Sequence, residues 1–123
     1  MATANQLMSG GFSAGQADAL NGNCALVSGA GTVLGDATGI SGDAIATGGA
    51  GSSGIRLPVN AKIGDKIYFA NVSGQTLKIY PSSASDAINA ISAGTEISIA
   101  TQKSCIFWRQ SSTQWRTIPL VPS

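Results

Sequence analysis

The sequence predicts an all-β chain, an antiparallel sandwich or barrel of jelly-roll-like arrangement with a Gly/Ala-rich N-terminal part. Three observations predict it. Apolar and other side chains alternate with a period of two: Ile67 and Phe69 with Tyr68 and Ala70, Leu77 and Ile79 with Lys78 and Tyr80, Ile97 and Ile99 with Glu96 and Ser98. Such alternation marks strands with one buried face. Turn residues recur at intervals of about 8–12 positions, the spacing of short strands in a small β domain. Apolar spacing of the helical kind is lacking, apart from residues 13–21, where Ser13 would cap one short turn.

The elements follow in chain order. Residues 1–12 read as an extended N-terminal arm, in which Leu7, Met8 and Phe12 stand among small and polar residues. Those three are candidates for a contact with a partner, since such a segment can order on a surface that receives its apolar side chains. Residues 13–123 read as a single all-β domain, Gly-rich over 13–54 and strand-rich over 55–123. Thirteen of the 16 glycines lie in residues 1–54, and six of the seven aromatic residues lie beyond residue 55. Within the Gly-rich part, Ala14–Gly22 is echoed by Ala30-Gly31 and Gly35–Gly42. An apolar stretch follows each copy, Cys24–Val27 and Ala44–Ala46. A repeat of this kind implies two similar strand–turn units stacked side by side; chance similarity in an Ala/Gly/Asp-rich stretch is the alternative.

Beyond residue 55, Ser73-Gly74-Gln75 fits a tight hairpin loop between two of the alternating runs. Gly94 separates Ile88–Ile91 from Ile97–Ile99. Gln110–Thr113 is a polar loop between Cys105–Arg109 and Gln114–Ile118. Pro58, Pro81, Pro119 and Pro122 stand at the ends of runs, where a missing N–H does least harm to a ladder.

Composition limits the function classes. A chain of 123 residues suits one domain with a modest core. Charged residues make up 11% and the formal net charge is +1, too little for a binder that works by neutralising phosphates. No partner nucleic acid or membrane is therefore expected. All seven basic residues lie beyond residue 55, against three acidic residues there, which gives that part +4. The opening residues lack a basic segment followed by an apolar one, so no leader peptide is expected, and production in a cytoplasm is. Cys24 and Cys105 read as small, mostly buried thiols, although a bridge between them stays open.

Candidate chemistries fare poorly. Gly49–Gly54 has the spacing G-x-G-x-x-G, but a dinucleotide site needs a helix after the loop, and Ile55-Arg56-Leu57-Pro58 is strand-like. Gly35–Asp43 invites a calcium ion, yet the EF-hand positions and the closing Glu are missing, and Asx-turns explain Asp beside Gly more simply. Asn71-Val72-Ser73 has the form of a glycosylation triplet, but Asn71 reads as the end of a strand that bonds to its own turn. With no His and a single Glu, the usual general base is missing. The chain is thus expected to be no enzyme, with no catalytic, cofactor or metal residues. Trp108, Trp115, Tyr68, Tyr80 and Phe107 could stack on sugars, but core packing suits most of them better. Arg109 and Arg116 flank the two tryptophans, and Trp108, Arg109, Trp115 and Arg116 make a candidate surface aromatic and basic patch.

The set formed by Gly54-Ile55-Arg56-Leu57-Pro58, Gly64-Asp65, Leu77–Pro81, Ile88-Asn89, Phe107-Trp108 and Trp115 resembles small structural proteins of tailed-bacteriophage virions, the capsid decoration (cement) and head-fibre kind. The resemblance spans roughly residues 13–119 and is strongest over 54–119. It implies a small β-barrel or jelly-roll module, a homotrimer that binds the major capsid protein across capsomer seams and stabilises the phage head. It implies a place in the virion, on the capsid surface, after assembly in the bacterial host cytoplasm. Its alternative is a tail or head-fibre module that binds a host-surface glycan. An exposed Trp108 or Trp115 in a groove favours the glycan alternative, and buried tryptophans favour decoration.

Overall fold

The computed structural model describes residues 24–119. They form ten strands: β1 (Ala25–Ser28), β2 (Thr38–Gly39), β3 (Ala44–Gly48), β4 (Gly54–Arg56), β5 (Lys66–Asn71), β6 (Leu77–Tyr80), β7 (Ala87–Ile88), β8 (Ile97–Ile99), β9 (Lys103–Ser111) and β10 (Gln114–Ile118). A 3-10 turn, Leu34–Asp36, precedes β2. The arm expected over 1–12, with Leu7, Met8 and Phe12, and the short turn expected over 13–21 lie outside the described residues.

The strands make two packed sheets, one ordered β1-β3-β5-β9-β10-β7 and the other β2-β4-β6-β8. From β1 to β9 the chain changes sheet at every step, so odd strands fall in one sheet and even strands in the other. This path stacks β1, β3 and β5 in parallel, and likewise β2, β4 and β6. The first half of the domain is therefore a wound coil flattened into two layers. Antiparallel β8 closes the smaller sheet, and the β9–β10 hairpin continues the larger one.

The all-β sandwich stands as expected, but its strand directions do not. Five of the eight described ladders are parallel and three are antiparallel. The coiled path of β1 to β6 departs from the antiparallel route of a jelly roll. Period-two alternation reports which face of a strand is buried and carries no information on the direction of its neighbour.

The same cause explains the loop at Ser73-Gly74-Gln75, which joins no hairpin. It carries the chain from β5 in one sheet to β6 in the other, and an arch between layers needs the same turn residues as a hairpin. Asn71 holds this arch. Its side chain is fully buried; Nδ2 donates to the Gln75 carbonyl at 2.7 Å and the Ile99 carbonyl at 2.8 Å, while Oδ1 accepts from the Ser73 amide at 3.0 Å. It thus ends β5 and bonds its own turn, as expected, and ties the two sheets together as well. The loop after Gly94 also leads from one sheet to the other, whereas Ser112-Thr113 joins a true hairpin.

The two apolar stretches of the internal echo are neighbours in register: Ala25 lies opposite Ala44, Leu26 opposite Ile45 and Val27 opposite Ala46. The stacking expected of a repeat holds for these strands; residues 14–22 lie outside the described residues.

Between the sheets lies one core. Ile55, Leu77, Ile79, Ile97 and Ile99 come from the smaller sheet, and Ile67, Phe69, Phe107 and Trp115 from the larger. Phe69 and Phe107 meet edge to face at 6.2 Å between ring centroids, a favoured geometry for aromatic pairs. Each large apolar side chain buried here contributes about 1.5–3 kcal/mol of transfer free energy.

Candidate interaction surface

Residues opposite one another in adjacent strands point to the same face of a sheet. That rule and the observed register sort the larger sheet into rows. Inward rows hold Ala44, Phe69 and Cys105, then Ile67, Phe107 and Thr117. Outward rows hold Leu26, Ile45, Ala70 and Ser104, then Tyr68, Ile106 and Ile118, then Lys66, Trp108 and Arg116.

The outward rows are apolar to an unusual degree for a face that no described residue covers. Leu26 is 72% exposed, Tyr68 and Ile118 54% each and Trp108 38%, with Ile45, Ala70 and Ile106 half-buried between them. Lys66 and Arg116 flank Trp108 at one end, and Asp43 beside Tyr68 is engaged by the Tyr68 amide. A shallow groove of about 500 Å³ runs along this face, walled by Ile45, Tyr68, Ile106 and Ile118 and ended by Cys24 and Pro119.

The outer face of the smaller sheet is different. Lys78 pairs with Glu96 at 3.4 Å, and Tyr80 is covered, its hydroxyl donating to the Thr32 carbonyl at 2.8 Å. Gly54 lets this cover approach: a Cβ there would meet Tyr80 Cε2 at 2.9 Å and Ala37 Cβ at 3.0 Å. One outer face is thus partly covered by the chain and otherwise polar, with Ser98 and the Lys78–Glu96 pair reaching solvent, and the other is left apolar and open. The difference matters because contiguous exposed apolar area marks an interaction site, whereas scattered apolar residues do not.

The aromatic and basic patch expected of Trp108, Arg109, Trp115 and Arg116 does not form as one surface. Arg109 lies opposite Trp115 and Trp108 opposite Arg116, so the pleat sends the first pair inward and the second outward. Trp115 is fully buried, with Arg109 stacked 5.1 Å from its ring. The guanidinium is held on several sides: Nη1 donates to Asp86 Oδ2 at 3.1 Å and Ser82 Oγ at 3.0 Å, and Nη2 to the Ser112 carbonyl at 2.6 Å. Ser82 in turn donates to Asp86 Oδ2 at 2.5 Å and accepts from Trp115 Nε1 at 3.1 Å. Every strong group of this clasp is satisfied, so its role is to fasten the loop before β7 onto the β9–β10 hairpin. Of the five aromatic residues weighed as a sugar platform, Phe107, Trp115 and Tyr80 are buried; Tyr68 and Trp108 face outward.

Both cysteines are free thiols, Cys24 exposed and Cys105 buried. Burial pushes the Cys105 thiol up to about 12. Among the described residues no group of three or more Cys, Asp or Glu side chains is placed to hold a metal ion. Nor is any described helix long and apolar enough to cross a membrane. Asp43, in the stretch that invited calcium, accepts the Tyr68 amide at 2.9 Å. Asn71, in the glycosylation triplet, is buried and bonded as described above.

The apolar outward rows escaped the sequence reading, which set Tyr68 opposite Ile67 and Phe69 in the alternation without joining it to other apolar residues, and left Leu26, Ile45, Ile106 and Ile118 without a role beyond strand formation. The available signal is the run Cys105-Ile106-Phe107-Trp108, apolar at both parities, which means a strand with two apolar faces. No family model matches the chain, and no curated protein matches it.

Proposed function

We propose that the chain is a structural virion protein, a capsid decoration protein that binds the major capsid protein across capsomer seams and stabilises a phage head. The observation that carries this reading is the open apolar face of the larger sheet. It offers contact area and no chemistry, which is what a protein that works by covering a seam requires. The inward position of Trp115 and the polar outer face of the smaller sheet support it further, because the apolar surface is then concentrated on one side. In this reading the module acts as a homotrimer at symmetric positions of the shell, where each copy adds a small interface and many copies act together. The chain performs no catalysis.

The test is copy number. Quantitative mass spectrometry of purified particles, referred to the major capsid protein, is expected to give a simple ratio to the shell subunit. Absence from the particle overturns the reading. A handful of copies moves the protein to a tail or head fibre that binds a host glycan. The outward ring of Trp108 between Lys66 and Arg116 favours that second reading, since an exposed indole beside cationic side chains can stack on a sugar face.

A further inference from the structure

An aromatic and basic cluster does form on the outer face, with members other than those the sequence suggested. The register sets Lys66, Trp108 and Arg116 side by side on β5, β9 and β10. Tyr68 stands opposite Ile106 and so lies one diagonal step from Trp108. Diagonal neighbours of this kind are about 7–8 Å apart, within reach of aromatic side chains. Gln110 joins them from the bulge near the end of β9, where its Oε1 accepts a hydrogen bond from Arg116 Nε. Bulges commonly re-aim a side chain in this way.

Neither cation of this cluster has a counter-ion among the described residues, where the ion pairs are Lys78–Glu96 and Asp86–Arg109. The carboxylates closest to it are engaged by backbone: Asp65 Oδ2 accepts the Lys62 amide at 2.8 Å, and Asp43 accepts the Tyr68 amide. Lys66 is exposed and Arg116 half-buried. This end of the face therefore holds two uncompensated positive charges around an indole that is 38% exposed. With Nε held by Gln110, Arg116 keeps Nη1 and Nη2 as an oriented fork, the geometry that takes a carboxylate in two parallel hydrogen bonds.

We infer that this end of the face binds a carboxylated sugar. The apolar side of the pyranose stacks on the Trp108 indole, Arg116 receives the carboxylate, and Lys66 and Gln110 meet the hydroxyl groups around the ring. Other ligands leave part of the cluster unused. A neutral sugar needs the indole but not two unpaired cations beside it. A nucleic-acid strand needs a track of positive charge along its phosphates, and a chain of net charge +1 with two cations here supplies none. An apolar protein segment needs the rows from Leu26 to Ile118 but not the charged end. The spacing suits one sugar unit: Lys66 and Arg116 stand two strand spacings apart, about 10 Å between backbones, with Trp108 between them. The inference rests on the glycan reading of Trp108 and names the kind of glycan. It leaves the apolar rows to the shell and does not depend on copy number.

The test titrates the full chain with two acidic probes, trigalacturonate and sialyllactose, each compared with its neutral methyl ester. Binding is read from the indole N–H signals in two-dimensional NMR, where buried Trp115 serves as the internal control. Each acid is expected to shift the Trp108 signal and not that of Trp115. At least one acid is expected to bind about tenfold or more tightly than its ester, since a hydrogen bond between two charged groups outweighs one to a neutral group. Arg116→Gln is expected to erase that preference while the affinity for the ester stays the same, and Trp108→Ala to weaken acid and ester alike. An unshifted Trp115 signal shows that Arg116→Gln is folded. Esters bound as tightly as both acids, or a preference that survives Arg116→Gln, overturn the inference and leave the glycan reading standing. A Trp108 signal that none of the four sugars moves overturns the inference and that reading together.

Discussion

Asp86 Oδ2 lies 3.1 Å from Arg109 Nη1, with both side chains buried, and this ion pair fastens the loop before β7 to the C-terminal part of β9. A buried pair adds little compared with an apolar filling of equal shape, but removal of one partner strands the other charge. Asp86→Ala is therefore expected to cost about 3–5 kcal/mol in urea unfolding. Replacing both partners with apolar residues of similar volume is expected to recover much of that loss. A double variant as unstable as Asp86→Ala would show that the clasp depends on the whole network and not on stranded charge.

Asn71 makes its bonds across the layers, so its loss is felt by both sheets. Asn71→Ala leaves the Ile99 and Gln75 carbonyls without their side-chain donor and is expected to destabilise by at least about 1–3 kcal/mol. Asn71→Asp keeps the shape and the acceptor but cannot donate, and is expected to be destabilised too. Equilibrium unfolding of the two variants checks this; an Asp variant as stable as the parent would mean that the arch rests on Oδ1 alone.

Gly54 and Gly42 form a matched pair for steric tests. A Cβ on Gly54 would meet Tyr80 and Ala37 at 3.0 Å or less, whereas a Cβ on Gly42 would meet nothing within 4 Å. Gly54→Ala is expected to lose about 1–3 kcal/mol by overpacking, and Gly42→Ala to stay within about 0.5 kcal/mol of the parent. Thermal melts of both variants decide it.

The two thiols are expected to differ in reactivity. Cys24 reacts with a thiol reagent in the native protein, and Cys105 reacts only after unfolding, so one equivalent is titrated natively and two in denaturant. The raised Cys105 value also has a sign. Burial favours the neutral thiol, so this contribution to stability is complete below its unfolded value of 9.0 and is lost as pH rises toward about 12. Cys105→Ala is expected to flatten that alkaline decline, as read from unfolding midpoints between those two pH values.

Trp108 and Trp115 separate surface from core. Trp115→Phe leaves an indole that acrylamide quenches, and Trp108→Phe leaves one that it reaches poorly. Trp108→Ala is expected to weaken binding to the shell, or to a glycan in the second reading, with the fold intact. Trp115→Ala is expected to cost about 3–5 kcal/mol.

Much of the layered core was legible in the sequence, because alternation marks inward residues whatever their neighbours do. Ile67 with Phe69, Leu77 with Ile79 and Ile97 with Ile99 are inward as expected. Direction was illegible: Ser73-Gly74-Gln75 suits a hairpin and an arch equally, and the choice depends on Ile99, twenty-four residues beyond Gln75. The echo of Cys24–Val27 in Ala44–Ala46 was the one visible trace of the coil. The open face was the least legible feature, because Tyr68 and Ile106 alternate like any strand residues, and only the register shows that Ile118 joins them.

The alternation of sheets also sets an order of assembly. No described strand from β1 to β8 pairs with its immediate successor in sequence; among the described strands β9 and β10 alone are consecutive and paired. Loop closure favours that hairpin as the first pairing, with β5 docking on β9, then β3, then β1. Pulse-labelled exchange during refolding is expected to protect β9 before β3. On that order the larger sheet would be completed from its C-terminal hairpin backwards, opposite to the direction of synthesis, and the strands made first would wait on a nascent chain for the ones made last.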